Sequence, residues 1–283
     1  MQQNMQRKPD WLKISLPQGK QYINLKSIIA NKRLNTICED GKCPNLSECW
    51  GRGTATFMIM GSICTRSCKF CNVDTGRPLA LDWDEPNRLA ETVKSMNLKH
   101  CVLTSVDRDD LRDFGAGFWA ATIRRVKEVN PETTLETLIP DFLGREEHIN
   151  TVIAAEPEII SHNMETVRRL TPQVRNKAKY DTSLKTIGVI AASGKVKPKS
   201  GIMVGLGETE EEVIQTMDDL LEVGCKVLTI GQYLQPTRQH WPVHEFVHPE
   251  QFLKYKTIGL EKGFQFVESG PLVRSSYRAE RHV

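Results

Sequence analysis

Six of the eight cysteines in this 283-residue chain stand in two triplets, Cys38-x4-Cys43-x5-Cys49 and Cys64-x3-Cys68-x2-Cys71. Any fold the chain adopts has to accommodate both. Each triplet offers one ligand fewer than a four-iron cube needs. A closed structural site uses all its protein ligands, whereas a metal cluster with an open position can do chemistry. Structural zinc usually draws on pairs of Cys or Cys and His, four ligands per ion. No His lies inside either triplet, although the two triplets can in principle pool their thiolates. Disulfides would suit a secreted chain, but the stretch Met1 to Lys13 is polar and has no apolar signal region. A cysteine-rich chain of this kind reads as soluble and cytoplasmic, with thiols reduced and available to metal. Cys101 and Cys225, in apolar or helix-end settings, read as small buried hydrophobes.

A chain of this length can bury a substantial core, as one large domain with extensions or two modest ones. Lys and Arg number 38 against 35 acids, a formal charge of +3, and no long basic run occurs. That balance argues against nucleic acid as the main partner and permits docking to an acidic protein. No stretch approaches the roughly 18 apolar residues of a membrane span, so no membrane partner is expected.

Strands and helices begin to alternate after Gly51-Arg52-Gly53. Short β-like runs are expected at Thr56–Met60, Cys101–Val106, Thr133–Ile139, Glu158–His162, Gly201–Val204 and Val227–Ile230, with helical patterns between them. The clearest helix, Glu210–Val223, carries Val213, Ile214, Met217, Leu220 and Leu221 at helical spacing. Thr209 with Glu212 forms a capping box at its start, and Gly224 marks its end. These β-then-α units imply an α/β chain with a parallel sheet and right-handed crossovers. A barrel, a partial barrel and an open doubly wound sheet all meet that description. In each, functional residues collect at the carboxyl ends of strands. Cys64–Cys71, Asp107–Asp110, Asp141, Asn163–Glu165 and Gly205–Glu208 all fall there, so one shared site is expected.

The second triplet reads Cys64-Thr-Arg-Ser-Cys68-Lys-Phe70-Cys71, and this spacing with an aromatic before the last cysteine resembles the signature of radical S-adenosylmethionine enzymes. Further motifs narrow the likeness. They are Lys8-Pro-Asp-Trp-Leu12, the first triplet, Gly53-Thr-Ala-Thr-Phe57, Thr104-Ser-Val-Asp-Arg-Asp-Asp110, His162-Asn-Met-Glu-Thr166, Ser200-Gly-Ile-Met-Val-Gly-Leu-Gly-Glu208, Gly231-Gln-Tyr-Leu-Gln-Pro236 and Arg274-Ser-Ser-Tyr277. Together they resemble the lipoyl synthase family, from Lys8 nearly to the last residue. The second triplet alone indicates only the wider superfamily; the first triplet with Arg-Ser-Ser-Tyr is far narrower. The resemblance implies a partial (β/α)6 TIM-like barrel over residues 51–236. Extensions at 1–50 and 237–283, carrying the first triplet and the Arg-Ser-Ser-Tyr motif, are expected to close the site.

The family inserts two sulfur atoms at C6 and C8 of an octanoyl chain held in amide linkage by a lysine of a lipoyl carrier protein. Those saturated carbons resist acid–base and nucleophilic catalysis. The resemblance therefore implies two [4Fe–4S] clusters and S-adenosylmethionine. Cys64, Cys68 and Cys71 would hold the cluster that cleaves the cofactor to a 5′-deoxyadenosyl radical. Cys38, Cys43 and Cys49 would hold an auxiliary cluster whose sulfides are consumed. Its fourth iron ligand would be a serine of Arg-Ser-Ser-Tyr, Ser276, whose alkoxide is harder and more easily released than thiolate. Implied partners are octanoylated carriers (2-oxoacid dehydrogenase E2 subunits and the glycine cleavage H protein), an electron donor and an iron–sulfur carrier.

Asn163 and Glu165 are implied contacts to the cofactor's ribose, and Thr104 and Asp107 to its methionyl part. From the residues alone, each has a plainer reading. Asn163 can serve a local turn, Asp107–Asp110 can be a solvated loop, and Ser275 or Ser276 can cap backbone. Gly205 and Gly207 are compatible with a backbone close to a ligand, but a lone Gly-x-Gly says little. His240, His244 and His248 lack metal spacing and read as loop structure. Met58, Met60, Met203 and Met217 read as core. A non-catalytic iron–sulfur or zinc protein is the alternative to an enzyme.

Overall fold

The computed structural model describes residues 7–13, 29, 32–41, 43–51 and 54–283. Gly53, the first residue of the Gly53–Phe57 motif, and part of the polar Met1–Lys13 stretch lie outside the described residues. The strands are β1 (Asn35–Thr36), β2 (Thr54–Ile59), β3 (Ile63–Cys64), β4 (Asp74–Thr75), β5 (His100–Ser105), β6 (Thr134–Leu138), β7 (Ile159–Ser161), β8 (Lys197–Val204), β9 (Val227–Gln232) and β10 (Phe266–Gly270). The helices are α1 (Ile37–Asp40), α2 (Leu46–Gly51), α3 (Glu85–Ser95), α4 (Ala116–Val129), α5 (Glu146–Ile153), α6 (Thr171–Val174), α7 (Tyr180–Ala192), α8 (Glu210–Glu222) and α9 (Pro249–Lys262).

One sheet runs in the order β1-β2-β5-β6-β7-β8-β9-β10. Only β1 is antiparallel to its neighbour; every other pair is parallel. A doubly wound sheet reverses its strand order at a switch point. Here spatial order follows chain order, and β1 and β10 remain as edges, so the sheet is a partial barrel. β2 and β9 are buried along their whole length, as parallel strands covered on both faces must be.

All six expected strands are present. Three of them start earlier than the apolar pattern indicated, β5 by the single residue His100. β2 begins at Thr54, and β8 reaches back to Lys197 because its polar Lys199 and Ser200 are buried inside the sheet. A seventh parallel strand, β10, extends the sheet beyond the six. Its residues past Val267 are only half-buried, as suits an edge strand, so no apolar run marks it. In α8 the capping box forms: Thr209 Oγ1 accepts from Glu212 N, and Glu212 Oε2 accepts from Thr209 N. Gly224 follows with φ +86°. Cys101 and Cys225 are buried in the core as expected.

Where β2 ends, Met60 adopts φ +67°, an unusual conformation for a side chain of that kind. Glu85, in the first turn of α3, holds that turn by accepting Met60 N–H at 2.9 Å. Burial pushes the Glu85 carboxyl up from 4.5 to about 7, so the charged form is disfavoured in the folded chain. This group's stabilisation is therefore full below pH 4.5 and is lost as pH rises through about 7. Glu85→Gln keeps an acceptor and removes the titration. It is expected to gain up to about 3 kcal/mol on the native protein at pH 8, and much less at pH 5. Denaturant midpoints at the two pH values measure this; an equal shift at both contradicts it.

Candidate metal and cofactor site

The loop carrying Cys64, Cys68 and Cys71 follows β2 at the carboxyl end of the sheet. Its first part is fastened to the loop after β5. Thr65 N and Oγ1 donate to Asp107 O at 3.1 and 2.9 Å, and Asp109 N donates back to Thr65 Oγ1 at 3.1 Å. Arg66, 5 % exposed, makes a two-pronged contact with Asp109 at 2.8 Å and reaches Asp141 Oδ1 at 2.9 Å. Such paired charge-assisted bonds fix orientation as well as add energy. The segment Asp107–Asp110 is therefore no solvated loop: the Asp109 side chain is 8 % exposed and Arg108 pairs with Asp110. The second half of the cysteine loop is pinned by Lys69 N to Val174 O, Trp241 N to Lys69 O, and His240 Nε2 to Cys71 O.

The three thiols line a cavity of about 270 Å³ together with Thr104, Asp107, Asn163 and Glu165. The backbone N–H groups of Arg66 and Asp107 point at Cys64 Sγ from 3.4 and 3.3 Å. Burial pushes the Cys64 thiol to about 11 and Cys68 to about 12, with Cys71 also raised. Thiolates in this setting need a positive partner. Asn163 is 8 % exposed, and its Oδ1 has no protein partner although it lines the cavity. A buried acceptor left open this way is a place for a ligand's donor. Glu165 sits at φ +66°, its N–H on Gly201 O and its carbonyl accepting from Met203 N, which fastens it to β8. Burial raises its carboxyl.

His162 supports this wall and does not titrate near neutrality. Its Nδ1 donates to Ile139 O and its Nε2 accepts from Ser183 Oγ, both at 2.9 Å, while burial lowers it to about 4. Arg175 Nη1 donates to the same Ser183 oxygen.

The first triplet lies on different elements. Cys38 belongs to α1, Cys43 to the connection after it, and Cys49 to α2. Thr36 caps α1, and Cys43 N donates to Cys38 O, so the two thiols are held on one short turn. All three line a tight space with Arg274, Ser276 and Thr56. Burial raises these thiols too, Cys38 to about 11 and Cys49 to about 12. Asn45 Nδ2 holds Leu272 O at 2.6 Å, and Tyr277 Oη reaches Glu48 at 3.2 Å. Consecutive serines thus face different centres: Ser276 lines the space of the first triplet, and Ser275 lines the cavity of the second.

Among the described residues no group of three or more His, Cys, Asp and Glu side chains is spaced to hold a metal ion. A cube of four irons takes its ligands at separate corners instead. Three thiols facing one space, with a hydroxyl beside one set and an unpaired amide oxygen beside the other, fit such cubes. Gly205 and Gly207, at φ +94° and +111°, belong to a turn whose amides at Gly205 and Leu206 donate to Glu208. His248 caps α9, and His244 is exposed. The residue pattern missed Arg66, Arg175, Arg274 and His240. Arg66 had a signal, a cation between Cys64 and Cys68 facing the acidic run Asp107–Asp110. His240 had none.

The sequence pattern of the "Radical SAM superfamily" matches residues 58–220, and that of the "N-terminal domain of lipoyl synthase of Radical_SAM family" matches residues 1–43. A lipoyl synthase of Bacteroides thetaiotaomicron is 64% identical over 277 residues, covering 98% of both chains. Those of Flavobacterium psychrophilum and Treponema denticola are 59% and 61% identical, over 98% of this chain and 95% and 96% of theirs. The chain belongs to the lipoyl synthase family. It is a radical S-adenosylmethionine enzyme, with that cofactor and [4Fe–4S] clusters as its working groups. The fold agrees. Streptococcus suis SuiB bound to precursor peptide SuiA superposes with a TM-score of 0.60 at 10% identity, over 88% of this chain and 52% of that one. Methylornithine synthase superposes with 0.56 at 13%, over 89% and 79%. The chain spans about half the length of SuiB. Among the described residues no helix is long and apolar enough to cross a membrane.

Proposed function

We propose that this chain inserts two sulfur atoms at C6 and C8 of an octanoyl-lysine on a lipoyl carrier protein, with the two cysteine triplets in separate roles. Cys64, Cys68 and Cys71 hold the cluster that binds S-adenosylmethionine. Cys38, Cys43, Cys49 and Ser276 hold the cluster that is consumed as sulfur donor. The observation that carries this reading is the division of the two serines. Ser276 shares its space with three thiols and no other triplet member, whereas Ser275 faces the larger cavity. An electron carrier has no use for a hydroxyl among its ligands; a donor cluster that must come apart does.

When bound at the second triplet, the cofactor supplies the hydrogen abstraction that saturated carbons require. The chain's own residues bind and place. Asn163 and Glu165 offer an acceptor and a carboxylate to the ribose diol, and Thr104 and Asp107 flank the methionyl part. Arg66 keeps Asp107 and the cysteine loop in register by bridging Asp109 and Asp141. Residues 51–236 supply the six β/α units of the barrel, and the flanking segments extend its sheet through β1 and β10. The carriers are 2-oxoacid dehydrogenase E2 subunits and the glycine cleavage H protein. A cytoplasmic electron donor and an iron–sulfur carrier that rebuilds the spent cluster complete the set.

The serine is the point to test. Ser276→Cys is expected to keep about eight irons per chain, since thiolate is the stronger ligand for iron, yet to lose most sulfur insertion because the ligand no longer leaves. Ser276→Ala should load iron incompletely and insert little sulfur. Ser275→Ala serves as the control and should be milder. Product mass after anaerobic incubation with an octanoyl-lysine peptide, together with iron content, reads all three. Wild-type turnover by Ser276→Cys removes ligand release from the mechanism, and a larger defect in Ser275→Ala assigns the other serine.

A further inference from the structure

Deeper inside the sheet, a charged pair sits apart from the chemistry at the carboxyl ends of the strands. Lys199 of β8 and Glu136 of β6 are 1 % and 0 % exposed, and Lys199 Nζ meets both carboxylate oxygens at 2.8 Å. Ser161 of β7 donates to Glu136 Oε1 at 2.9 Å. An ammonium has three N–H groups, and the remaining one has His282 Nδ1 at 3.3 Å as its acceptor. His282 is 0 % exposed, and its carbonyl accepts from Lys197 Nζ at 2.7 Å. Its ring lies 5.8 Å from that of Phe266 on the edge strand β10.

His282 comes to this buried place at the end of a span that starts at Leu272, passes the first triplet at Ser276, and makes one 3-10 turn over Ala279–Arg281. The near end of the span is held as well. Asn45 grips Leu272 O, and Gly231 lets Val273 O come so close that any Cβ there would collide with it. Ser276 is therefore strung between two anchors, of which His282 is the far one.

We infer that His282 is a positioning residue for sulfur insertion: by completing the hydrogen bonding of the buried Lys199 it fixes the span Leu272–His282 and so sets Ser276 against Cys38, Cys43 and Cys49. The inference rests on Ser276 being the fourth ligand of that centre. The physical ground is the cost of a bare donor. If the span leaves, Lys199 keeps a buried N–H with no acceptor, and the released state is disfavoured by that unmade bond. A hydroxyl binds iron less firmly than thiolate, so Ser276 depends on its scaffold more than the three cysteines do.

Hydrogen exchange on the full chain, purified anaerobically with its clusters, tests this. The amides of Tyr277 and Arg281 donate within the span, to Arg274 O and Arg278 O. In His282→Ala they are expected to exchange roughly tenfold faster, the factor that one unmade buried hydrogen bond carries, while the amides of α8 stay unchanged. Iron at the first triplet should fall, and product formed per 5′-deoxyadenosine should drop several-fold while cofactor cleavage continues. His282→Asn offers Lys199 a carboxamide oxygen and should restore both readouts. Lys197→Met removes the grip on the His282 carbonyl, together with the ammonium 5.4 Å over the Phe266 ring, but leaves the His282 side chain in place, and should give a smaller change of the same kind even if His282→Ala does not fold. Wild-type exchange and iron in both His282→Ala and Lys197→Met overturn the inference, as does failure of His282→Asn to restore either readout. A silent His282→Ala beside a defective Ser276→Ala sinks the anchor alone. If Ser276→Ala also keeps full iron and product, the ligand assignment itself falls.

Discussion

Replacing Cys68 by Ala is expected to bring 5′-deoxyadenosine formation to background while about half of the iron stays bound. Two thiols cannot hold a cube that already has an open corner, and no spare cysteine stands by, since Cys101 and Cys225 are buried in the core. The loop itself should survive. Its fastening runs through Thr65, Arg66 and the backbone of Lys69 and Cys71, and none of these bonds uses the Cys68 side chain. The first triplet lies on α1, α2 and their connection, and fills independently if each centre has its own ligands. Anaerobic iron and sulfide analysis with cofactor cleavage measured on one sample reads both halves of the expectation. Cleavage at the wild-type rate would show that this triplet is not where the cofactor is opened.

Much of this was legible in the sequence, for physical reasons that differ from place to place. The strands at β2, β5 and β9 announce themselves because parallel strands covered on both faces are continuous apolar runs. The start of β8 does not: Lys199 and Ser200 are as buried as any valine, but the partners of Lys199, Glu136 and His282, lie 63 and 83 residues away, and Met164, whose N–H Ser200 accepts, lies 36 away. A buried ion pair leaves no local trace. The seventh parallel strand is hidden for the opposite reason, being half-exposed at an edge. At the site, the cysteines and the acidic run after β5 could be found by spacing, because metal ligands and their loops are local in the chain. The links between loops could not. Arg66 reaching Asp109 and Asp141, and His240 reaching the Cys71 carbonyl across 169 residues, exist only once the strands are side by side. The division between Ser275 and Ser276 is of the same kind: neighbours in sequence, they are the two central residues of the turn that Tyr277 N closes on Arg274 O, and they face different spaces.

Cys43→Ala is expected to produce the complementary defect, cofactor cleavage without sulfur insertion. Cys43, half-buried like Cys49, sits on the connection between α1 and α2, whereas Cys38 is packed into the core at 5 % exposure. Truncating Cys43 therefore disturbs little packing, and the helices beside it keep their own hydrogen bonds, such as Cys49 N on Asn45 O. What is lost is a ligand. With Cys38, Cys49 and a hydroxyl remaining, the donor cluster should not assemble, and bound iron should drop to about four per chain. The second triplet shares no side chain with this space, so reductant and S-adenosylmethionine should still yield 5′-deoxyadenosine. The octanoyl-lysine peptide should come back without added sulfur, its mass unchanged at C6 and C8. Cleavage and insertion would then separate cleanly between two single substitutions, Cys68→Ala stopping both and Cys43→Ala stopping only the second. Lipoyl product at normal yield from Cys43→Ala would place the sulfur source outside this triplet, and with it the reason for a releasable serine at position 276.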